Sequence, residues 1–424
     1  MFIVYDIVAL FVALVYLPRY IFKNKFHSGF LARFGFLPKT LLFKERPVWI
    51  HAVSVGEAMA VKNLAEALRR EFPEVKFVIS TVTPTGNTIA RNISRDGDKV
   101  LYLPLDFSFI VNKVITRINP RLFIIVETEL WPNLISCLYQ RKIPVIVVNG
   151  RISDASYKGY RSIKFLLSSF LNKVTLYCVQ SLRDAERFAD IGVCNTRIKV
   201  AGNMKFDIQE PAVLLEKKGQ DYRLRLGLSS QEKFLVAGST HPGEEEEILQ
   251  VYTRLMPLFP GLRLLLAPRH PERAGEIEKT ISRFELSFVR FSRLRDKQPC
   301  FNAQTVMILD TIGDLVSVYR AADIVFVGGS LIPRGGHNIL EPAVLGKAVI
   351  FGPHMFNFRD ITDLFLSNQA AVSVSDGQGL QDSITRLLNN PDEIIQLGQR
   401  AKKLIVEQRG ATEANVKVIK EILC

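Results

Sequence analysis

Short apolar runs alternating with helical stretches constrain this chain more than any other feature of its sequence. From Pro47 the runs fall at residues 48–53, 75–81, 100–103, 122–126, 145–148, 175–179 and 198–201, then at 234–237, 262–267, 288–291, 306–309, 324–327, 349–351 and 371–374. Amphipathic stretches lie between them, such as 58–72, where Ala60, Leu64 and Leu68 recur at spacing four. Strands apolar throughout, rather than at alternate residues, are buried on both faces, and helical crossovers between them impose a parallel, doubly wound sheet. Pro211 and a polar run break the rhythm at 206–222. The expected fold is α/β, with two Rossmann-like halves facing across a cleft and ligands at the carboxyl ends of the strands. Residues 47–205 form the expected first domain, 206–222 a linker and 223–390 the second domain. One unbroken helical pattern, 391–424, follows.

Composition narrows the function. At 424 residues, 48% hydrophobic and 23% charged, the chain is globular rather than collagenous, disordered or polytopic. Cys137, Cys178, Cys194, Cys300 and Cys424 form no CxxC pair, which argues against a disulfide framework or structural zinc and fits a reducing compartment. A net charge of +13 points to an anionic partner: nucleic acid, a phospholipid leaflet or a phosphorylated substrate.

Residues 1–22 carry only Asp6 and Arg19 as charges, and Lys23, Lys25, Arg33, Lys39, Lys44 and Arg46 follow against a single acid, Glu45. An apolar stretch with a basic flank on its carboxyl side predicts a membrane anchor over 1–22 and a basic juxtamembrane segment over 23–46. A signal peptide would place its charges before the apolar region. Asp6 and Pro18 suit an interfacial helix as well as a spanning one, with Phe26, Phe30, Phe34 and Phe36 extending the contact. The plain alternative is a buried first helix.

Polar residues and glycines cluster just after the strands. His51–Glu57 (HAVSVGE) ends the first run and opens a helix; Glu57 is there either a catalytic base or a carboxylate complementing the helix dipole. Glu127 and Glu129 (ETELWP) follow the fourth run, where one carboxylate can hold the other's neighbours in place. Lys205, in GNMKFD, is suited to a leaving phosphate or a substrate carboxylate, or is simply a solvated lysine. In the second half, Gly238-Ser239-Thr240-His241 precedes a helix starting at Glu244–Glu247, an arrangement that binds phosphate through backbone N–H groups. It is not a Walker A loop, and the acidic run reads as a favourable first helical turn rather than a metal site with His241. Pro268-Arg269-His270 can meet phosphate or base, and the turn Ile312-Gly313-Asp314 can present backbone to a base edge. Asn338 and Glu341, three residues apart, suit the two hydroxyls of a ribose. No Asp-x-Asp pair stands at a strand end, so no metal or cofactor is expected, and cationic side chains would meet a departing phosphate.

In this order the motifs HAVSVGE, TPTG (from Thr83 to Gly86), ETELWPN, KFD, GSTHPGEE, PRHPER, DTIGDL and GGHNILEPA resemble the 3-deoxy-D-manno-octulosonic acid (Kdo) transferases of lipopolysaccharide synthesis, over essentially the whole chain. The resemblance implies a GT-B glycosyltransferase whose carboxyl-terminal helix returns to the first domain. It implies inverting transfer of Kdo from CMP-Kdo to the lipid A precursor, lipid IVA, at the cytoplasmic face of the inner membrane. Glu57 matches the general base, and Glu127 and Lys205 match transition-state stabilisers. Pro268, Arg269, His270, Ile312, Gly313, Asp314, Asn338, Ile339, Leu340 and Glu341 match CMP contacts, beside Ser239 and Thr240 of the hydroxyl turn. The implied partners are CMP-Kdo, the lipid A precursor and an anionic membrane surface, with no nucleic acid. Asn203 stands where Ser is expected before KFD, and Gly150 where Ala is usual before Arg151; neither touches a proposed catalytic group. The rival readings are a GT-B lipid transferase or epimerase using a UDP-sugar, and a two-domain binding protein without chemistry.

Overall fold

Every one of the apolar runs holds a strand. A computed structural model describes residues 5–7, 10–11, 31–37, 43, 45–52, 55–208, 222–294, 302 and 304–423, the side chains of 55–59 excepted. Its contacts divide the chain into Met1–Asp207 with Gln408–Cys424, and Ile208–Glu407.

The first unit contains β1 (Val48–His51), β2 (Phe77–Thr81), β3 (Lys99–Tyr102), β4 (Leu122–Val126), β5 (Val145–Gly150), β6 (Leu176–Val179) and β7 (Ile198–Val200), in the order β3-β2-β1-β4-β5-β6-β7. All pairings are parallel, with Val48 opposite both Phe77 and Leu122. Every residue of β1, β2, β4, β5 and β6 is buried, the physical reason these segments carry no polar face. Alternate residues serve opposite faces. Trp49, Val78 and Phe123 join one core, while Val48, Ile50, Phe77 and Ile124 join another beneath the helix Val55–Glu71. Ala60, Leu64 and Leu68, the residues at spacing four, are the buried stripe of that helix.

The second unit repeats the plan with β8 (Lys233–Thr240), β9 (Leu262–Pro268), β10 (Ser287–Arg290), β11 (Thr305–Ile308), β12 (Ile324–Val327), β13 (Ala348–Phe351) and β14 (Val372–Ser373), ordered β10-β11-β9-β8-β12-β13-β14. Strand order reverses between β1 and β4 in one sheet and between β8 and β12 in the other. A doubly wound sheet opens a crevice beyond the strand ends at that point.

One expectation changes, and two others fall largely outside the described residues. The pattern at 391–424 is two helices, Pro391–Glu407 and Ala411–Leu423, separated at Gly410, whose φ is 104°. Only the last belongs to the first unit, where Ala411, Val416 and Ile419 complete the core under Val55–Glu71. Asp207 fastens it, its carboxylate accepting from the Gly410 and Thr412 amides at 2.7 and 2.6 Å and from the Thr412 hydroxyl at 2.5 Å. The expected linker 206–222 starts inside a turn, Met204–Phe206, and residues 209–221 lie outside the described residues.

The amino-terminal anchor over 1–22 also falls largely outside the described residues, and no helix among those described is long and apolar enough to cross a membrane. Asp6 is described, and it binds the first unit. Its carboxylate accepts from the Ser108 amide and hydroxyl at 3.1 and 2.5 Å and from Asn133 Nδ2 at 2.6 Å. In the basic flank, Arg33 is buried with its Nε donating to Leu103 O, and Arg46 donates to Pro120 O. Those two cations serve the fold.

Candidate active site

The reversal point of the first sheet sets the ends of β1 and β4 side by side. His51 closes β1 fully buried, with Nδ1 3.0 Å from both Ser80 O and Ser80 Oγ. Burial pushes its pKa down to about 4, so the ring is neutral. The carbonyl acceptor places the proton on Nδ1 and leaves Nε2 as a buried lone pair. Its edge meets Trp131, which opens the helix Pro132–Gln140. Glu57 sits in the first turn of Val55–Glu71, and its side chain lies outside the described residues.

Past the end of β4, Glu127 adopts φ 61°, a left-handed conformation that costs a non-glycine residue about 1–2 kcal/mol and turns its backbone sharply away from the strand. The carboxylate lies 2.8 Å from Lys205 Nζ and 3.1 Å from Arg151 Nε. Thr128 fixes the second cation, its hydroxyl donating to Arg151 O and accepting from the Arg151 amide. Lys205 rides on the turn Met204–Phe206, which is pinned where Asn149 Oδ1 accepts from the Met204 amide at 2.9 Å and Asn203 Oδ1 from the Lys205 amide at 3.0 Å. Asn203 is one of the two departures from the expected motif, and its amide oxygen serves here as the cap of that turn. Burial works to raise the Glu127 pKa, but Lys205 and Arg151 outweigh it and hold the carboxyl below its usual range. Glu127 is therefore a fixed anion that orders two cations and is unsuited to accepting a proton near neutrality. Neighbouring Glu129 is pushed up by burial and by Glu127.

In the second unit the expected phosphate turn is partly engaged by its own chain, which also ties it to the glycine-rich loop. Glu244 is buried and accepts four backbone N–H groups: His241 (3.0 Å) and Gly329 (2.7 Å) on one oxygen, Ser330 (2.9 Å) and Leu331 (3.0 Å) on the other. Thr240 is buried and donates to Glu245 Oε1 at 2.9 Å, the same oxygen that pairs with Arg273. Ser239, at φ 57°, is part-exposed. Pro268 ends β9 buried, the Arg269 amide donates to Thr240 O at 2.9 Å, and the side chains of Arg269 and His270 are exposed. Gly313, at φ 93°, turns the chain so that Ile312 stands 90% exposed, while Asp314 accepts from Thr311 Oγ1 at 2.7 Å.

Asn338 and Glu341 do meet, Nδ2 donating to Oε1 at 3.2 Å, though not along a helical face. The helix begins at Leu340, and Asn338 Oδ1 accepts the Leu340 amide at 3.1 Å. Ile339 and Leu340 point into the core, so any ligand contact there is made by main chain. His241, His270 and His337 converge beside Arg269, with His241 Nε2 2.9 Å from His337 Nε2. Among the described residues no group of three or more His, Cys, Asp or Glu side chains is placed to hold a metal ion.

Arg151, Asn149 and the His241–His337 pair are functional candidates that motif reading passed over. Arg151 had one signal: like Glu127 it stands just past a strand, and β4 and β5 are neighbours.

Residues 28–208 match the family model described as 3-deoxy-D-manno-octulosonic-acid transferase. The 3-deoxy-D-manno-octulosonic acid transferase of Haemophilus influenzae is 34% identical over 400 residues, covering 94% of this chain and 92% of that protein. Its namesake from Chlamydophila psittaci is 32% identical over 414 residues, covering 96% and 93%. Among solved structures, UDP-GlcNAc 2-epimerase from Neisseria meningitidis superposes with a TM-score of 0.59 at 12% identity, over 89% of this chain and 99% of that one, a likeness of fold.

Proposed function

This chain belongs to the Kdo transferase family of glycosyltransferases, and from that premise we propose that it moves Kdo from CMP-Kdo onto the lipid A precursor, lipid IVA, at the cytoplasmic face of the inner membrane. The observation that carries the chemistry is the buried Glu127 carboxylate between Lys205 and Arg151, beyond the end of β4 and beside β1.

Kdo carries a carboxylate on its anomeric carbon, and the donor is a phosphodiester. In our reading, Glu57 takes the proton of the acceptor hydroxyl as the new C–O bond forms. The bond from the anomeric carbon to the phosphate oxygen breaks, its electron pair leaving with CMP, so the configuration inverts with one enzyme carboxylate at work. Glu127, held ionised, is unfit to be that base, which supports giving the role to Glu57. Lys205, aimed by Glu127, meets the sugar carboxylate or the departing phosphate, where a preorganised charge acts without reorganising during the reaction. Arg269 and His270 take the phosphate side of the nucleotide, the 312–314 main chain the base, and Asn338 with Glu341 the ribose hydroxyls.

A doubly phosphorylated lipid acceptor and an anionic leaflet both suit the net charge of +13. The test is a transfer assay with CMP-Kdo generated in situ and tetraacylated precursor as acceptor, the product sized by chromatography. A product larger by one or more Kdo units supports the reading and counts the transfers. Intact donor with folded protein refutes it and turns attention to UDP-sugars.

A further inference from the structure

Two of the donors expected to cradle a phosphate in the Gly238–His241 turn are already engaged within the chain. The turn's His241 N–H is spent on Glu244, which also takes the N–H groups of Gly329, Ser330 and Leu331 from the glycine-rich loop, and its Thr240 hydroxyl is spent on Glu245. Side chains bring charge to this place, and five cationic or titratable ones gather there: Arg269, Arg334, His241, His270 and His337. Neither Arg269 nor Arg334 has an ion-pair partner among the described residues. The nearby acids are already engaged: Glu244 by the amides, Glu245 by Thr240 and Arg273, Glu272 beside His270, and Glu341 by Asn338.

The two histidines have an unusual arrangement. Their ring planes differ by 6°, the centroids are 5.1 Å apart and the Nε2 atoms 2.9 Å apart. That centroid separation is the Nε2···Nε2 distance plus the two ring radii, so the rings lie edge to edge, nearly in one plane, rather than face to face. One Nε2 donates and the other accepts, so a single proton occupies the space between them. The pair can accept one more proton, on Nδ1 of the donating ring, without breaking that bond. A second additional proton would set two N–H groups against each other.

We propose that the His241–His337 pair is a proton-linked anion clamp of the donor half, taking up one proton from solvent when a nucleotide phosphate arrives beside Arg269 and Arg334. This rests on the reading that the second unit binds the CMP-sugar. Burial lowers both rings, helped at His241 by Arg334, His270, Arg273 and Arg269 and at His337 by Arg269, His241 and His270, His337 being pushed down to about 4. A phosphate's negative charge opposes those cations and returns one ring towards the ordinary histidine range, near 6.5. The sign follows: the protonated pair binds the anion better. Affinity is flat above the bound-state pKa and rises as pH falls below it, by at most about tenfold per pH unit for one proton.

The probe is the methyl phosphodiester of CMP, whose single charge does not titrate in this range. Calorimetry on the full chain, in buffers of different ionisation enthalpy between about pH 8 and about pH 5.5, should show uptake of a fraction of a proton and affinity tightening about five- to tenfold. His337→Gln and His241→Gln keep an amide in place of Nε2 but cannot take the extra proton. Both should bind at high pH nearly as the parent does and lose the tightening. Tight, pH-independent binding by the parent, or unchanged tightening in both Gln variants, overturns the clamp alone. No binding at any pH by folded protein overturns the donor-site reading and the clamp with it.

Discussion

Replacing Glu127 by Gln keeps the side-chain volume and removes the one negative charge between Lys205 at 2.8 Å and Arg151 at 3.1 Å. Glu127 and Lys205 are only 12% and 15% exposed, so two cations are left facing each other with little water to screen them. Removing one partner of a buried pair costs about 3–5 kcal/mol; Arg151 is a third exposed, which favours the lower end. Lys205→Met is milder, because Glu127 keeps Arg151, and losing one hydrogen bond to a charged group costs about 1.5–3 kcal/mol. The chain's two tryptophans, Trp49 and Trp131, both lie in the first unit, so fluorescence-monitored urea unfolding reads the unit that holds the triad. Because the folded pKa of Glu127 is depressed, its contribution is present above the ordinary carboxylate range and lost as pH falls through the folded value. The gap between parent and Glu127→Gln should therefore close in acid. For transfer the ranking reverses: Lys205→Met should lose about 10²–10³-fold in kcat while remaining the more stable variant. If Lys205→Met unfolds more easily than Glu127→Gln, or transfers Kdo at near-parental rate, the division between a charge that positions and a charge that reacts is wrong.

Three further outcomes are expected. Glu57→Gln should fold normally, bind CMP as before and lose about 10²–10⁴-fold in kcat, measured in the same transfer assay; retained activity would remove Glu57 as the base. Asp207→Ala should cost about 1–2 kcal/mol and speed amide exchange across Ala411–Leu423, because three bonds to Gly410 and Thr412 are lost; unchanged exchange there would mean apolar packing alone holds that helix. Glu244→Gln turns one of the two accepting oxygens into an amide donor. It should cost about 1–3 kcal/mol in the second unit, loosen residues 329–331 in amide exchange and weaken CMP binding.

The strands were legible because parallel strands buried on both faces have no polar alternation to blur them, and the turns because doubly wound sheets keep polar groups just past strand ends. What stayed hidden was partnership. Glu244 looks like any acid in a first helical turn, yet its four donors include Gly329, Ser330 and Leu331 from the glycine-rich loop. Asp6 looks like a flaw in an apolar segment until Ser108 and Asn133 appear beside it. Arg151 follows β5 as Glu127 follows β4, and only the order β4-β5 tells that the two meet.

Local pattern therefore says that a charge stands at a strand end, and strand order says which charges share that end. For Glu127 this decides chemistry as well as packing. Beside β5 and the 204–206 turn it has two cations and stays ionised. With no cation in reach, the same buried carboxyl would be pushed up and become the better proton acceptor of the two glutamates. What disqualifies Glu127 as the base in our proposal is thus which strand lies next to β4, a fact of topology that no spacing within ETELWP contains.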